Sequence, residues 1–191
     1  MAGPNDVDRD VTRELTADHR EVDHLFDSLD AAPAGDPERK RLVDTLTVEL
    51  TRLAAAEEEA LHPAVRRHLS GGKALVAHEV HDLGAIERTL KDLEGRDADD
   101  PAFDPLVATL HEQVSRHEHE DEEGLFVELR RNLSKEELDT LGADVRRAMA
   151  YTEAHPHLRT ADTPPEYEPL SMAAIEFVDR LRALFHGHIR T

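Results

Sequence analysis

The sequence has no cysteine and no tryptophan among its 191 residues, and only two tyrosines and five phenylalanines. Without cysteine, disulfide bonds, zinc–thiolate sites, iron–sulfur clusters and thiol catalysis are all excluded. A core with so few aromatic side chains must be built from leucine, valine and alanine. That composition favours helices over sheets, and the length suits one domain with a tail.

Long apolar runs and an excess of basic charge are also missing. No segment approaches the ~18 consecutive apolar residues of a membrane span, and the N-terminus has no secretory signal, so we expect a soluble cytoplasmic protein. A formal net charge of −19 should repel phosphate backbones and anionic membranes, which argues against nucleic-acid and membrane partners. There is no nucleophile–base array or phosphate-binding loop, so hydrolase or kinase activity has no support, and other enzymatic activity stays open.

Apolar residues recur at helical spacing over most of the chain. The spacing predicts four long helices near residues 9–29, 37–69, 73–94 and 103–132, a short helix after Ser134, and an amphipathic helix after Ser171. We therefore predict an all-α protein, an up-down four-helix bundle with extra C-terminal helices. Residues 1–150 would form the bundle, and 151–191 a proline-rich strap and an amphipathic helix. The apolar face of that helix could pack on the bundle or on a second subunit, giving a homo-oligomer.

Polar residues interrupt the apolar rows of these helices. The row of the fourth helix contains His117 and Asp121, one turn apart. The other rows are Val11, Leu15, His19, Val22, Phe26 and Leu29 in the first helix, Leu46, Leu50, Leu53, Glu57, Leu61, Ala64 and His68 in the second, and Val76, Glu79, Leu83, Ile86, Leu90 and Leu93 in the third. Burying an imidazole or a carboxylate is costly unless something pairs with it. A metal ion is one such partner, and a paired polar patch or a rotated helix is the alternative.

The second and fourth helices repeat one design. Residues 57–63 resemble residues 121–127, an offset of 64 positions. The same offset aligns Leu53 with His117 and His19 with Leu83, so the chain contains two similar helix pairs. Facing helices of such a bundle build metal sites from inward side chains. The candidate ligands are His19, Glu57, His117 and Asp121, a set that suits iron, manganese or zinc.

These residues resemble those of a known family. Residues 18–26, the two Glu-Glu segments and the helix containing Leu138 and Leu141 are similar to hemerythrin-like, or HHE cation-binding, proteins, and the tail from His155 to Pro165 is similar to actinobacterial members. The resemblance implies a non-haem diiron centre whose two carboxylates bridge the irons. It also implies oxygen, nitric oxide or redox sensing, or iron handling, with a small diatomic ligand.

The family pattern has histidine on the first helix, His-x-x-x-Glu on the second, histidine on the third, and His-x-x-x-Glu or Asp on the fourth. The resemblance assigns ligand positions to His19, Glu57, His117 and Asp121. Leucine stands at the two remaining histidine positions, Leu53 on the second helix and Leu83 on the third. The predicted site is therefore degenerate, because each iron would lose one imidazole.

Three interpretations of this degenerate site stay open. The protein could keep a reduced site for one or two ions, with water as a further ligand. His78 or His81, within a turn of Leu83, could replace a missing imidazole. The four polar residues could instead form a metal-free network in an interaction or regulatory module that acts through its surface or its last helix. The other bundle histidines are interpreted as surface or boundary residues: His24, His62, His68, His111 and His119.

Restoring both missing imidazoles should restore iron binding if the alignment of the repeats is correct. We expect the double variant Leu53→His, Leu83→His to gain bound iron and visible absorption that depends on it. Metal analysis and absorption spectroscopy of the purified variant measure both. A folded double variant that gains no iron would contradict the alignment.

Overall fold

A computed structural model of the protein describes residues 10–154, and every regular element in that range is helical. The α-helices are α1 (Val11–Ala31), α2 (Pro37–Ala56), α3 (His62–His68), α4 (Gly72–Leu93), α5 (Phe103–Glu120), α6 (Phe126–Asn132) and α7 (Lys135–Ala154). Two π-helical turns, π1 (Glu57–Leu61) and π2 (Asp121–Leu125), join α2 to α3 and α5 to α6. The chain thus forms five helical rods, and consecutive rods pack side by side in the up-down order of the predicted bundle.

The all-α prediction is confirmed for the described residues. The helix predicted after Ser134 is α7, which packs on α1, α2 and π1 and continues to Ala154. None of the described helices combines the length and the apolar character that crossing a bilayer requires. The predicted strap beyond Ala154 and the amphipathic helix after Ser171 lie outside the described residues, so the division at residue 150 stays a prediction.

Side-chain caps fix where the rods begin. The Asp10 carboxylate accepts a hydrogen bond from the Thr12 amide at 2.9 Å, which satisfies a free N–H of the first turn of α1. Asp36 caps α2 in the same way, ahead of Pro37. Ser134 and Glu137 form the predicted capping box of α7: the Ser134 amide donates to Glu137 at 2.8 Å, and the Glu137 amide donates to Ser134 at 3.3 Å.

The interior consists of two apolar clusters with a polar layer between them. On α1, Leu15 belongs to the first cluster and Val22 to the second, and His19 lies between these two residues. On the rod of α5, Val114 and Leu125 bracket the polar layer in the same way. Four inward residues of α7 complete the first cluster, as their spacing predicts: Leu138, Leu141, Val145 and Met149. The helical period thus places the polar turns of α1 and of the α5 rod between the same two clusters.

The π-helical turns change which residues face inward beyond the polar layer. The second-helix row was predicted to continue from Leu61 through Ala64 to His68. In the structure His62, Val65 and Leu69 are buried instead, and His68 is exposed. A π turn bonds residue i to i+5 and so inserts one residue, which moves every later position by one. Proline is not the general cause, because π2 forms without one.

Arg39 of α2 contacts both α1 and α5, next to Phe103 of the second cluster. Its guanidinium donates to the backbone carbonyls of Leu29 and Ala32 at the end of α1. It also pairs with Asp104 of α5 at 2.8 Å, although the Arg39 side chain is only 9% exposed. The carbonyls left free at a helix end thereby receive donors that a buried helix end needs.

Replacing Arg39 should destabilise the bundle. We expect Arg39→Met to lower the free energy of unfolding by about 1–3 kcal/mol, because a buried carbonyl loses its donor while the apolar stem remains. Urea unfolding measures the change. The control is Arg41→Met, since Arg41 is 71% exposed and pairs only with Glu38, so we expect less than about 1 kcal/mol. Equal losses in the two variants would contradict this role of Arg39.

Candidate metal centre

Imidazole and carboxylate side chains from four rods meet in the polar layer. The residues are His19 on α1, Glu57 in π1, Glu79 on α4, His117 on α5 and Asp121 in π2, all of them buried. Their ligand atoms form two compact groups, each with all atoms within 4.8 Å: His19, Glu57 and Asp121, and Glu79, His117 and Asp121. The structure therefore brings the four sequence-predicted residues together, and Asp121 belongs to both groups.

The His19 ring is oriented by a carboxylate behind it. Its Nδ1 lies 3.1 Å from Oε1 of Glu122, and Arg20 holds the other oxygen of Glu122 at 2.7 Å. Burial lowers the pKa of His19, which favours the neutral ring. With the proton on Nδ1 donated to Glu122, the lone pair is on Nε2, which is buried and has no hydrogen-bond partner among the described residues.

The His117 ring has the same arrangement. Its Nδ1 lies 3.3 Å from Oε2 of Glu79. Its Nε2 lies 3.6 Å from Glu57 and 3.9 Å from Asp121, both too long for a hydrogen bond. Each histidine thus presents Nδ1 to a carboxylate and directs Nε2 into the layer, as metal-ligating histidines do when an outer carboxylate fixes their orientation.

The layer concentrates negative charge around one imidazolium. Burial opposes a charge on His117, but the carboxylates of Glu57, Asp121 and Glu79 outweigh it and raise the pKa of His117 to about 10. Burial also opposes ionisation of Glu57, yet His117 keeps the pKa of that carboxyl below its usual value. Burial, aided by the neighbouring carboxylates, raises the pKa of Asp121 and of Glu79. A cation in place of the His117 proton would stabilise the ionised form of all three acids.

Polar atoms without partners are concentrated in or beside this layer. Seven of the nine such buried side-chain atoms in the described residues belong to five residues: Nε2 of His19, Oε1 of Glu57, both nitrogens of His62, Nε2 of His117 and both oxygens of Asp121. Native proteins pair nearly all buried polar atoms, so a self-sufficient hydrogen-bonded network would not leave these unmatched. Their chemistry, imidazole nitrogen and carboxylate oxygen, fits a divalent cation.

Two residues of this region were missed in the sequence. Glu79 lies in the predicted apolar row of α4, which is the same signal that identified Glu57. His62 was interpreted as a surface or boundary residue, and that interpretation is wrong, because the ring is fully buried. The extra residue of π1 turns it inward. A signal was present in the repeat, since the counterpart of His62 is the aromatic Phe126.

His78 and His81 do not replace a missing imidazole. Both are exposed. The His78 ring lies 2.7 Å from Glu120 and 3.4 Å from Asp82, in a separate group at the surface between α4 and α5. Because this ring is 56% exposed and already paired, it contributes nothing to the buried layer.

Leu53 and Leu83 line a cavity beside the layer. Its volume is about 10 Å³, close to the smallest that holds a water molecule. The lining residues are Leu50, Leu53, Ala54, Glu57, Leu83, Ile86 and His117. Leu53 and Leu83 therefore form an apolar wall next to Glu57 and His117.

Three comparisons place this architecture among known proteins. Residues 10–129 match the sequence profile of the hemerythrin HHE cation-binding domain. The chain is 24% identical over 173 residues to an uncharacterized hemerythrin-like protein of Schizosaccharomyces pombe, covering 90% of this chain and 84% of that one. The crystal structure of a hemerythrin HHE cation-binding domain-containing protein from Mycobacterium kansasii superposes with a TM-score of 0.69 at 19% identity, over 78% of this chain and 90% of that one.

A further relative is much longer than this chain. A protein of Nostoc sp. named DNA nickase is 28% identical over 148 residues, which cover 76% of this chain but only 41% of that protein. The chain thus spans about two fifths of the length of that relative.

Metal binding should release a proton from the centre. His117 holds a proton below its raised pKa of about 10, and a metal ion needs the lone pair of its Nε2. We therefore expect the apparent affinity for Zn²⁺ to increase from pH 6 to pH 8, roughly tenfold per pH unit for each proton displaced. Calorimetric titration in buffers of different ionisation enthalpy counts the protons. The variant His78→Ala should keep the same dependence, and an affinity independent of pH would contradict the expectation.

Proposed function

The chain belongs to the hemerythrin HHE cation-binding domain family, and we propose that its polar layer binds non-haem iron through His19, Glu57, His117 and Asp121. The observation that carries the proposal is the set of unpartnered ligand atoms: both Nε2 atoms, one oxygen of Glu57 and both oxygens of Asp121 are buried and unmatched among the described residues. Leaving such atoms without partners costs stability, and a bound cation removes that cost.

The donor set suits iron, manganese or zinc, because imidazole nitrogens combined with carboxylate oxygens bind each of these ions. The match to the hemerythrin HHE cation-binding domain favours iron among them. The two compact groups suggest two adjacent ion positions that share Asp121. Each position has one imidazole, so the site is degenerate relative to the family pattern. When bound, iron would supply Lewis-acid and one-electron redox chemistry.

The surrounding residues have their own roles in this proposal. Glu122 orients His19 by accepting a hydrogen bond from its Nδ1–H, and Arg20 holds Glu122 in place. Glu79, 3.3 Å from Nδ1 of His117, orients that ring as an ion-pair partner. The small cavity at Leu53 and Leu83, about 10 Å³ in volume, is of the size that holds one water molecule. A function in sensing oxygen, nitric oxide or redox state, or in handling iron, fits such a site.

Two other functions are less well supported by the described residues. A metal-free interaction module would leave the unmatched atoms of the layer without an explanation. The Nostoc relative is named for an action on DNA, but this chain covers only 41% of that protein. With a net charge of −19, we propose that this chain does not bind DNA by itself.

Metal analysis of variants tests the proposal. Protein purified from iron-supplemented cells should contain about one or two irons per chain, and His117→Ala should lose them because a ligand is gone. The control is His119→Ala, an exposed histidine two residues along the same helix, which should keep its iron. A wild-type protein without bound metal, and with stability unchanged in His117→Ala, would refute the proposal.

A further inference from the structure

The first π-helical turn places His62 on the same side of its rod as Glu57. The backbone N–H of His62 donates to the carbonyl of Glu57, the i+5 bond of a π turn. In a continuous α-helix five residues advance the side chain well past a full turn and away from the starting face. The extra residue of π1 removes most of that rotation. His62 is consequently 0% exposed.

The His62 imidazole has no partner at either nitrogen among the described residues. Burial lowers the pKa of His62 to about 4, so the ring is neutral and keeps a free lone pair at physiological pH. The ionisable groups that act on it are Glu57, Arg66 and His117, two of which belong to the polar layer. Native proteins rarely bury a histidine with neither ring nitrogen hydrogen-bonded, so the position of His62 calls for an explanation.

The repeat shows which position His62 occupies. Its counterpart 64 residues later is Phe126, whose ring stacks on that of His19 with centroids 5.9 Å apart. The residue after each π turn thus lies against the centre. Phenylalanine at that position is explained by packing alone, whereas histidine adds two polar atoms that packing does not use. His62 lies on the second rod, which also carries Leu53 at the position where the family pattern has a histidine.

We propose that His62 is an additional metal-ligating side chain of the polar layer, and that it compensates for the imidazole absent at Leu53. The imidazole donor of this rod would then stand five residues after Glu57, at His62, instead of four residues before it, at position 53. The His62 nitrogens lie outside the two compact groups, so ligation requires the ring to turn toward Glu57 and His117 on an unchanged backbone. This inference rests on the proposed function, because it needs a metal in the layer.

Cobalt binding to matched variants tests the role of His62. Co²⁺ is the probe, because its visible bands report on the number of ligands and on nitrogen donors. His62→Phe copies the residue found at position 126 and should bind Co²⁺ at least about tenfold more weakly, since even lost outer partners of metal ligands cost roughly 10–100-fold. Its visible bands should also change. His68→Phe, an exposed histidine of the same helix, should behave as wild type.

The outcomes separate this inference from the proposed function. If wild type binds no Co²⁺ or iron, both fail. If His117→Ala abolishes binding while His62→Phe binds as tightly as wild type with the same bands, only the role of His62 is overturned. Weaker binding in His62→Phe, with binding unchanged in His68→Phe, supports it.

Two measurements keep the test independent of a folding defect. Without metal, His62→Phe should unfold at the same or a higher temperature than wild type, because it removes two unsatisfied buried atoms. Nitrogen-15 NMR of wild type with Zn²⁺ as a diamagnetic probe should show a large shift of one His62 ring nitrogen. Ring nitrogens of His62 that do not respond to Zn²⁺, while those of His117 do, would overturn the inference without any variant.

Discussion

The packing of this bundle depends on one buried layer of ionisable side chains. Glu57, Glu79 and Asp121 surround a single imidazolium on His117, and apolar clusters close the layer on both sides. Burying so many ionisable groups is costly, and the described residues leave several of their buried nitrogen and oxygen atoms without a hydrogen-bond partner. A cation is the partner that relieves this imbalance with the fewest changes. The layer also explains why two separate apolar clusters are needed, since neither can extend through it.

The two π-helical turns determine which side chains of their rods face the layer. Each begins at a carboxylate, Glu57 or Asp121, and each turns one further residue toward the centre, His62 or Phe126. Irregular helical turns of this kind cost hydrogen-bond geometry and are frequent at functional sites. The repeated design therefore gives the two halves of the bundle a π-helical turn at equivalent positions. The ligand atoms that each half offers then depend on the residues that flank its π turn.

Those residues have diverged between the halves. His117 stands where the first half has Leu53, and His19 stands where the second half has Leu83, so each half has one imidazole at these positions. Leu53 and Leu83 line a small cavity next to Glu57 and His117. Glu122 and Glu79 lie behind the imidazoles of His19 and His117, on the side of Nδ1.

The sequence alone determined the helical rods, their order, and the meeting of His19, Glu57, His117 and Asp121, because helical period and an internal repeat are both written in the spacing of residues. The apolar pattern did not reveal the inward position of His62, because a π turn shifts the register by one residue. The signal for that position was the aromatic Phe126 at the equivalent place in the repeat. Glu79 and Glu122 likewise acquire their roles only through contacts with histidines on other rods. Distances between rods decide which carboxylate orients a ring, and those distances exist only in the folded chain.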